Sequence, residues 1–498
     1  MVNRITGLST GFDIDQWVTD LMKARRAGVD KLYQKKRLLE WQRDDYRGIN
    51  TRLLALRSVT SELRLQGSFS ARTASSSDDT VLTAAASGSA VPASYAVKVN
   101  ALASGVTRTS TAALGSSTDK TSLASQFGLS GTVTFTLEGK NGVKEFSFDT
   151  ATTTLNQVVA AINEAGIGIR ASYDATLDRF FLMSQEAGSA AEIHAHADAE
   201  GFLTGTLKLA LAVGAEEANA VRGSDANLDF NDATGLTFPS NQVTVNGVTL
   251  TLKSVSASTV TVTVSRDVEA TVAKIKAWVT AYNDALGLIH GELTETRYRD
   301  YLPLTDVQKE EMKDKEIEEW EAKARSGLLK GDSLLARVHA SLRGAVGPQV
   351  SGLAGAYTSL SAIGITTGPY TEGGKLYVDE AKLREALAAD PEGVRDLFTR
   401  NREDAAQDGI AVRLYEAVNA AMTLITGRAG SGSSFRDSAS TISKELGVLE
   451  RRIRAWEGRL QDQEARYYKQ FSAMETAIQQ LSAQSAWLAQ AFGGGASE

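Results

Sequence analysis

The chain has 498 residues, 42 % of them hydrophobic, enough for several folded domains. Its net charge of -7 argues against a general nucleic-acid binder or a binder of anionic membranes. No apolar run reaches 18 residues, which excludes a transmembrane helix, and the absence of cysteine excludes disulfides and suits a chain that is exported unfolded. Met1–Gly11 lacks a basic stretch followed by an apolar core, so no cleavable secretion signal is expected. In chain order, Asp13 opens the first helix, with Gln16 at capping-box spacing. A 3.5-residue repeat then runs through Ile14, Val18, Leu21, Arg25, Gly28, Leu32, Lys35, Leu39, Gln42, Tyr46, Ile49, Leu53, Leu56, Thr60 and Leu63. Gly28 predicts a break between a short segment and a longer one from about Asp30 to Leu65. Lys31, Lys35, Lys36 and Arg37 read as a solvated helix flank.

The Ser-rich stretch Gln66–Ser77 ends the helix. Period-two alternation predicts a strand at Tyr95–Ala101 and another at Val133–Leu137. Ala103–Ser130 between them reads as loop. Asn141-Gly142 predicts a type I′ hairpin returning through Phe146 and Phe148. Thr154 and Gln157 cap a helix that Gly166 ends in the left-handed conformation. Strands follow at Ile167–Tyr173 and Arg179–Ser184. His194 and His196, at i and i+2, could share a metal ion, but no third ligand stands at a convincing spacing, and a solvated pair is expected. Asn246-Gly247 joins strands at Val243–Val245 and Val248–Leu252, and Val260–Val264 is the last strand.

At Asp267 the helical period returns, through Val268, Val272, Ile275, Val279, Tyr282, Leu286 and Ile289. Thr305 caps a charged helix from Val307 to about Arg325, and Asp332 caps one through Leu335–Val346. Ile363–Val378 reads as a hairpin around Gly373-Gly374, Asp379 and Asp390-Pro391 open short helices, and Ile410–Ile425 is helical. Gly427–Ser434 reads as a flexible joint. The final stretch carries a second seam: Ile442, Leu446, Leu449, Ile453, Trp456 and Leu460, then a stutter at Tyr467–Phe471, then Met474, Ile478, Leu481 and Leu488. Two imperfect seams at opposite ends imply helices that meet each other or meet copies in an assembly. No GxSxG, HExxH, phosphate-loop or CxxC motif is present, so no catalytic, cofactor or metal site is expected.

The motifs ITGLSTGFDIDQWVTDLMKARR (Ile5–Arg26), KLYQKKRLLEWQRDDYRGINTRLLALR (Lys31–Arg57) and FSARTASSSDDTVLTAAAS (Phe69–Ser87) resemble the bacterial flagellar filament cap family, hook-associated protein 2. TLNQVVAAINEAGIGIRASYD (Thr154–Asp174) resembles that family's flagellin hook motif. Pro303–Leu335 and Ile363–Phe398 resemble its C-terminal domain. The family often has Pro where this chain has Gly28.

The resemblance implies an α+β multidomain fold. N- and C-terminal helices form a coiled-coil leg and a helical domain, with small β-rich domains inserted between them. The expected divisions are a leg at 1–45 and 437–498, a helical domain at 46–71 and 266–436, a plate domain at 72–130 and 206–265, and an inserted α+β module at 131–205. The resemblance further implies a ring of about five subunits. The expected partners are flagellin, the hook–filament junction proteins and an export chaperone, with a host surface ligand as a further candidate and neither nucleic acid nor membrane insertion. The expected location is extracellular, at the filament tip. Ile14, Val18, Leu21, Leu32 and Leu39, with the C-terminal seam from Ile442 to Leu488, are the expected oligomer and filament contacts. An adhesin or glycan-binding module at the tip is the alternative.

Overall fold

A computed structural model describes residues 13–402, 404–432 and 437–493, with side chains to 490. The first motif's Ile5–Phe12 lies outside the described residues, as does the stretch read for a secretion signal. The chain forms two compact units, one of residues 1–69 with 268–498 and one of Ser70–Asp267.

The first unit is helical. Ile14–Leu63 is one continuous helix of 50 residues, about 75 Å at 1.5 Å per residue. The break predicted at Gly28 is absent. A Cβ there would lie 3.7 Å from the Trp456 ring, so glycine leaves a shallow seat for that indole and the packing carries the helix through. Asp13 caps the helix by accepting from the Gln16 backbone. Its apolar stripe, Leu39, Tyr46, Ile49, Leu53, Leu56 and Leu63, joins one core with Val268–Thr294, Ser333–Val346, Glu380–Ala389, Pro391–Thr399, Ile410–Ala429 and the start of Thr441–Gly493. Trp278 is fully buried there, edge-on to Phe398 at 5.6 Å.

Capping places the shorter helices as their side chains dictate: Asp332 accepts from Leu334 and Leu335, Asp379 from Lys382, and Asp390 from Gly393. The charged helix expected from Val307 to Arg325 is instead two, Asp306–Glu310 and Asp314–Arg325, because Glu316 turns back to the Lys313 backbone and restarts the helix. The joint expected at Gly427–Ser434 is also shorter. Gly427–Ala429 continue the helix, and the Ser431 and Gly432 backbone N–H groups donate to Asp437. Ser433 and Ser434 lie outside the described residues.

The charged segment is fastened to the helices by its carbonyls and charges. Arg297 donates to the Ala324 and Ser326 carbonyls, and Arg325 pairs with Asp45 at 2.6 Å. Glu292 sits half-buried beside them. Burial, with Asp45 and Glu295 nearby, raises its pKa to about 7 against the opposing pull of Arg325.

The second unit holds two cores. One is built on an antiparallel five-stranded sheet, ordered Arg72–Ser76, Val260–Arg266, Ala93–Ala101, Ala226–Phe230, Ala233–Phe238. Val97 pairs with Val260 and Val99 with Leu228, so the alternating valines share one buried face. A three-stranded sheet of Gln242–Val245, Val248–Leu252 and Leu82–Ala86 closes this core. Asn246 and Gly247 have φ of 49° and 78°, as the type I′ turn requires. The strands Arg72–Ser76 and Leu82–Ala86 were missed, because serine and alanine runs carry little alternation.

The other core packs Leu155–Glu164 with a four-stranded sheet, ordered Val221–Arg222, Glu192–Asp198, Thr132–Gly139, Gly142–Asp149, and a three-stranded one, ordered Thr107–Thr109, Arg179–Ser184, Ile169–Asp174. The Thr154–Gln157 capping box forms, and Gly166 takes φ 70°. The hairpin at Asn141-Gly142 differs from expectation. Gly139 pairs with Gly142, so the turn residues are Lys140 and Asn141, and neither has positive φ. Ala103–Ser130 is not all loop: it contributes Thr107–Thr109, the helix Leu123–Phe127 and the buried Val106, Leu114 and Leu123. Leu207 and Leu209 also enter this core, so it exceeds the expected 131–205 on both sides. Ser104 and Ser224 exchange backbone hydrogen bonds where the chain enters and leaves it.

Three outcomes are expected. Glu292 holds a folded-state pKa above its ordinary 4.5, so its contribution to stability is full below pH 4.5 and is lost as pH rises to about 7. Denaturant titrations should therefore find Glu292→Gln more stable than wild type at pH 8 by about 2 kcal/mol, with the gap closing below pH 5. Ser70–Asp267 expressed alone should give native-like circular dichroism and dispersed amide resonances. Leu250→Asp, at a fully buried position, should cost that unit several kcal/mol, on the order of 3–5.

Candidate assembly surface on the terminal helices

The two long helices run antiparallel over the N-terminal half of the first and the middle of the last. Successive cross-pairs mark the register. Arg47 bonds Asp437 at 2.6 Å, Lys36 pairs with Glu450 at 3.1 Å, and the Tyr33 hydroxyl donates to Glu457 at 2.5 Å. Trp456 lies over Gly28, and Trp17 meets Phe471 edge-on at 5.9 Å. Of the basic flank expected to be solvated, Lys36 is therefore bridged to the other helix, while Arg37 pairs with Glu40 on its own helix.

Packing along this pair weakens in one direction. Ile442, Leu446, Leu449 and Ile453 are buried, the first three of them in the main helical core. They are covered within the chain itself, although the sequence assigned everything from 437 to a separate leg. Opposite them Leu39 is buried and Leu32 half-buried. Further along, Trp456 is 39 % exposed while Leu460 is half-buried. In this polar middle the Tyr33 hydroxyl is held above its ordinary range, chiefly by its bond to Glu457. Tyr467 is lowered by hydrogen bonds with Arg25 and Gln463.

Ile14 and Val18 are buried again, Val29 rather than Gly28 is the buried residue of its turn, and Leu21 is 42 % exposed. Trp17, Asp20, Leu21, Ala24 and Phe471 line a shallow open groove. Beyond Phe471 the last helix carries no buried side chain up to Gln490. Ile478 is half-buried, whereas Met474, Leu481, Trp487 and Leu488 are exposed, Trp487 by 68 %. Trp17 and Trp487 were not singled out from the sequence, although a tryptophan beside a polar gap in a seam is a usable signal. The arrangement offers apolar contact area along the pair.

Among the described residues, one group of His, Cys, Asp and Glu could hold a metal ion: Glu138, His194 and His196. The expected solvated pair is thus corrected. His194 is buried, and strand pairing, which sequence spacing hides, brings Glu138 opposite it.

Comparison with known proteins follows this layout. Residues 223–483 match the family model described as flagellar hook-associated protein 2 C-terminus, and residues 10–105 match its N-terminus. Residues 134–185 match the flagellin hook IN motif, within the α+β core. Flagellar hook-associated protein 2 of Halalkalibacterium halodurans is 32 % identical over 539 aligned residues, covering 98 % of this chain and 99 % of that one. Its counterpart from Thermotoga maritima is 30 % identical, over 68 % of this chain and 52 % of that one. The crystal structure of the flagellar cap protein D1-D2-D3 domains from Escherichia coli shares the fold, with a TM-score of 0.54 and 22 % identity over 82 % of this chain and 99 % of that one. A model match over more than half the chain and a relative of nearly full length place this chain in the flagellar hook-associated protein 2 family.

Proposed function

We propose that the protein is the structural cap at the distal end of a bacterial flagellar filament, where it promotes folding and insertion of exported flagellin and prevents its loss. The observation that carries this reading is the apolar strip on the last helix, Met474, Leu481, Trp487 and Leu488, left uncovered on a chain whose relatives are hook-associated. Water disfavours such a strip, and each side chain buried against a partner gains about 1.5–3 kcal/mol. The strip and the groove at Trp17 and Leu21 form the leg that grips the assembly.

Polar residues at seam positions, Arg25, Lys35 and Gln42 on the first helix and Gln463 and Ser485 on the last, keep that grip moderate. A cap has to stay attached yet shift as each subunit enters beneath it, which suits contacts of intermediate strength. In this reading the helical unit forms the wall of a ring of about five copies, by the logic of closed cyclic assembly. The two β cores form the outer plate and its inserted module. The protein is exported, escorted by a chaperone, and docks against flagellin or the hook–filament junction. A host surface ligand for the β cores is compatible with this role, but the clustered rings of Phe135, Phe146 and Phe202 are buried and do not favour it.

Leu481→Asp with Trp487→Asp separates attachment from folding, because both positions are exposed, whereas Leu449→Asp would break the helical core. A strain carrying only the double variant should export a protein with unchanged thermal unfolding, yet shed monomeric flagellin into the medium and bear few or short filaments. Filaments of normal number and length would remove the terminal helix as the attachment element. In sedimentation experiments the purified full chain should self-associate with rising concentration, and deleting residues 473–498 should weaken that association. A monomer at every concentration would contradict the ring.

A further inference from the structure

Thr132–Gly139 pairs antiparallel with Glu192–Asp198, and Glu138 stands directly opposite His194. His196 lies two residues on, so both imidazoles rise from one face of the strand, with ring centroids 4.1 Å apart. His194 is 2 % exposed as a side chain, while His196 and Glu138 keep a quarter or so of theirs open, 25 % and 28 %.

The hydrogen bonds fix the chemistry. His194 Nε2 lies 2.7 Å from the Gly214 carbonyl oxygen. That oxygen can only accept, so Nε2 carries the proton and, in the neutral ring, Nδ1 presents a lone pair. His194 Nδ1 is 3.4 Å from Glu138 Oε2, and His196 Nε2 is 2.5 Å from the same oxygen. Two imidazole nitrogens and one carboxylate oxygen, all within 4.8 Å of one another, therefore converge on a partly open point.

This donor set suits a borderline divalent ion, since imidazole with carboxylate is the ligand chemistry of zinc and its neighbours. Around a tetrahedral ion with bonds of about 2.0–2.1 Å, ligand atoms stand about 3.3 Å apart. The His194–Glu138 separation already meets that. The His196–Glu138 pair has to open by less than about 1 Å, which two partly exposed side chains can accommodate. The Gly214 carbonyl is the outer partner that holds a ligating histidine in its tautomer. Its place is itself constrained: Gly214 has φ 149°, and a Cβ there would fall 2.8 Å from Asn219 Nδ2.

We propose that Glu138, His194 and His196 form a binding site for one zinc-like divalent transition-metal ion, with water at the remaining position, which ties two strands of the inserted α+β core together. The ion acts as a cross-link where a disulfide is not available, the chain having no cysteine.

The test uses the full-length protein, stripped with chelator and titrated with zinc by calorimetry and with cobalt by visible absorption. One equivalent should bind, with the ligand-field bands of four-coordinate cobalt, and zinc should raise the melting temperature of the α+β core. His196→Gln and Glu138→Gln should each weaken binding by at least about ten-fold, since even outer partners of a metal ligand cost that much. His290→Gln should leave it unchanged. That control matters because His290 and His339 form the other histidine pair, with centroids 5.7 Å apart. In wild-type protein, imidazole nitrogen resonances should report zinc on Nδ1 of His194 and Nε2 of His196, whatever the folding of the variants. Absence of binding would leave a hydrogen-bonded His–Glu–His cluster and overturn the proposal. Binding that survives both Gln variants, or that is lost with His290→Gln, would do the same.

Discussion

The apolar stripe on Ile14–Leu63 is covered by segments from the second half of the chain. Val268–Thr294, Ile410–Ala429 and Thr441–Gly493 do this, and the resulting core holds Trp278, Tyr282 and Phe398 at its centre. Closing so long a loop costs little more than closing a moderate one, because the entropy grows only with the logarithm of its length. The β unit can therefore sit between the two halves of the helical unit in sequence as long as it folds by itself. Its two cores, each with its own sheets, supply the buried surface that such independent folding needs.

The same stripe explains why the terminal helices change character along their length. Near the core, Ile442, Leu446, Leu449 and Ile453 meet partners inside the chain and are buried. Farther out the cover is partial: Val29, Val18 and Ile14 stay buried, while Leu21 and Trp456 keep about two fifths of their surface exposed. Polar bridges such as Tyr33 to Glu457 then set the register more than they add stability, since exposed pairs contribute about 0–1 kcal/mol. Beyond Phe471 the strip has no cover among the described residues. A surface of that kind is tolerated where an assembly supplies the missing face.

Buried polar groups mark where this fold departs from simple layering. Glu292, beside the Asp45–Arg325 pair, is kept partly protonated at neutral pH by burial, which ties the fastening of the charged segment to pH. In the α+β core His194 gives up solvent for the Gly214 carbonyl, and the loop that carries Gly214 is drawn against Glu192–Asp198. Each is a local contact between segments remote in sequence.

The sequence alone determined most helices and their caps, because capping and 3.5-residue periodicity are short-range. Asp13, Thr154, Thr305, Asp332, Asp379 and Asp390 all cap as read. It also determined the strands with clear alternation, such as Tyr95–Val99 and Val260–Val264, and the Asn246-Gly247 turn. Tertiary structure decided the rest. Gly28 stays helical because Trp456 packs on it, an effect no local propensity contains. Arg72–Ser76 and Leu82–Ala86 become strands because long-range partners supply their hydrogen bonds. In sequence the seam runs from Ile442 to Leu488 with gaps and one stutter, yet only packing divides it into a covered part and an exposed part. Glu138 joined His194 and His196 for the same reason: a ladder pairs residues by register across space, and spacing along the chain carries no record of it.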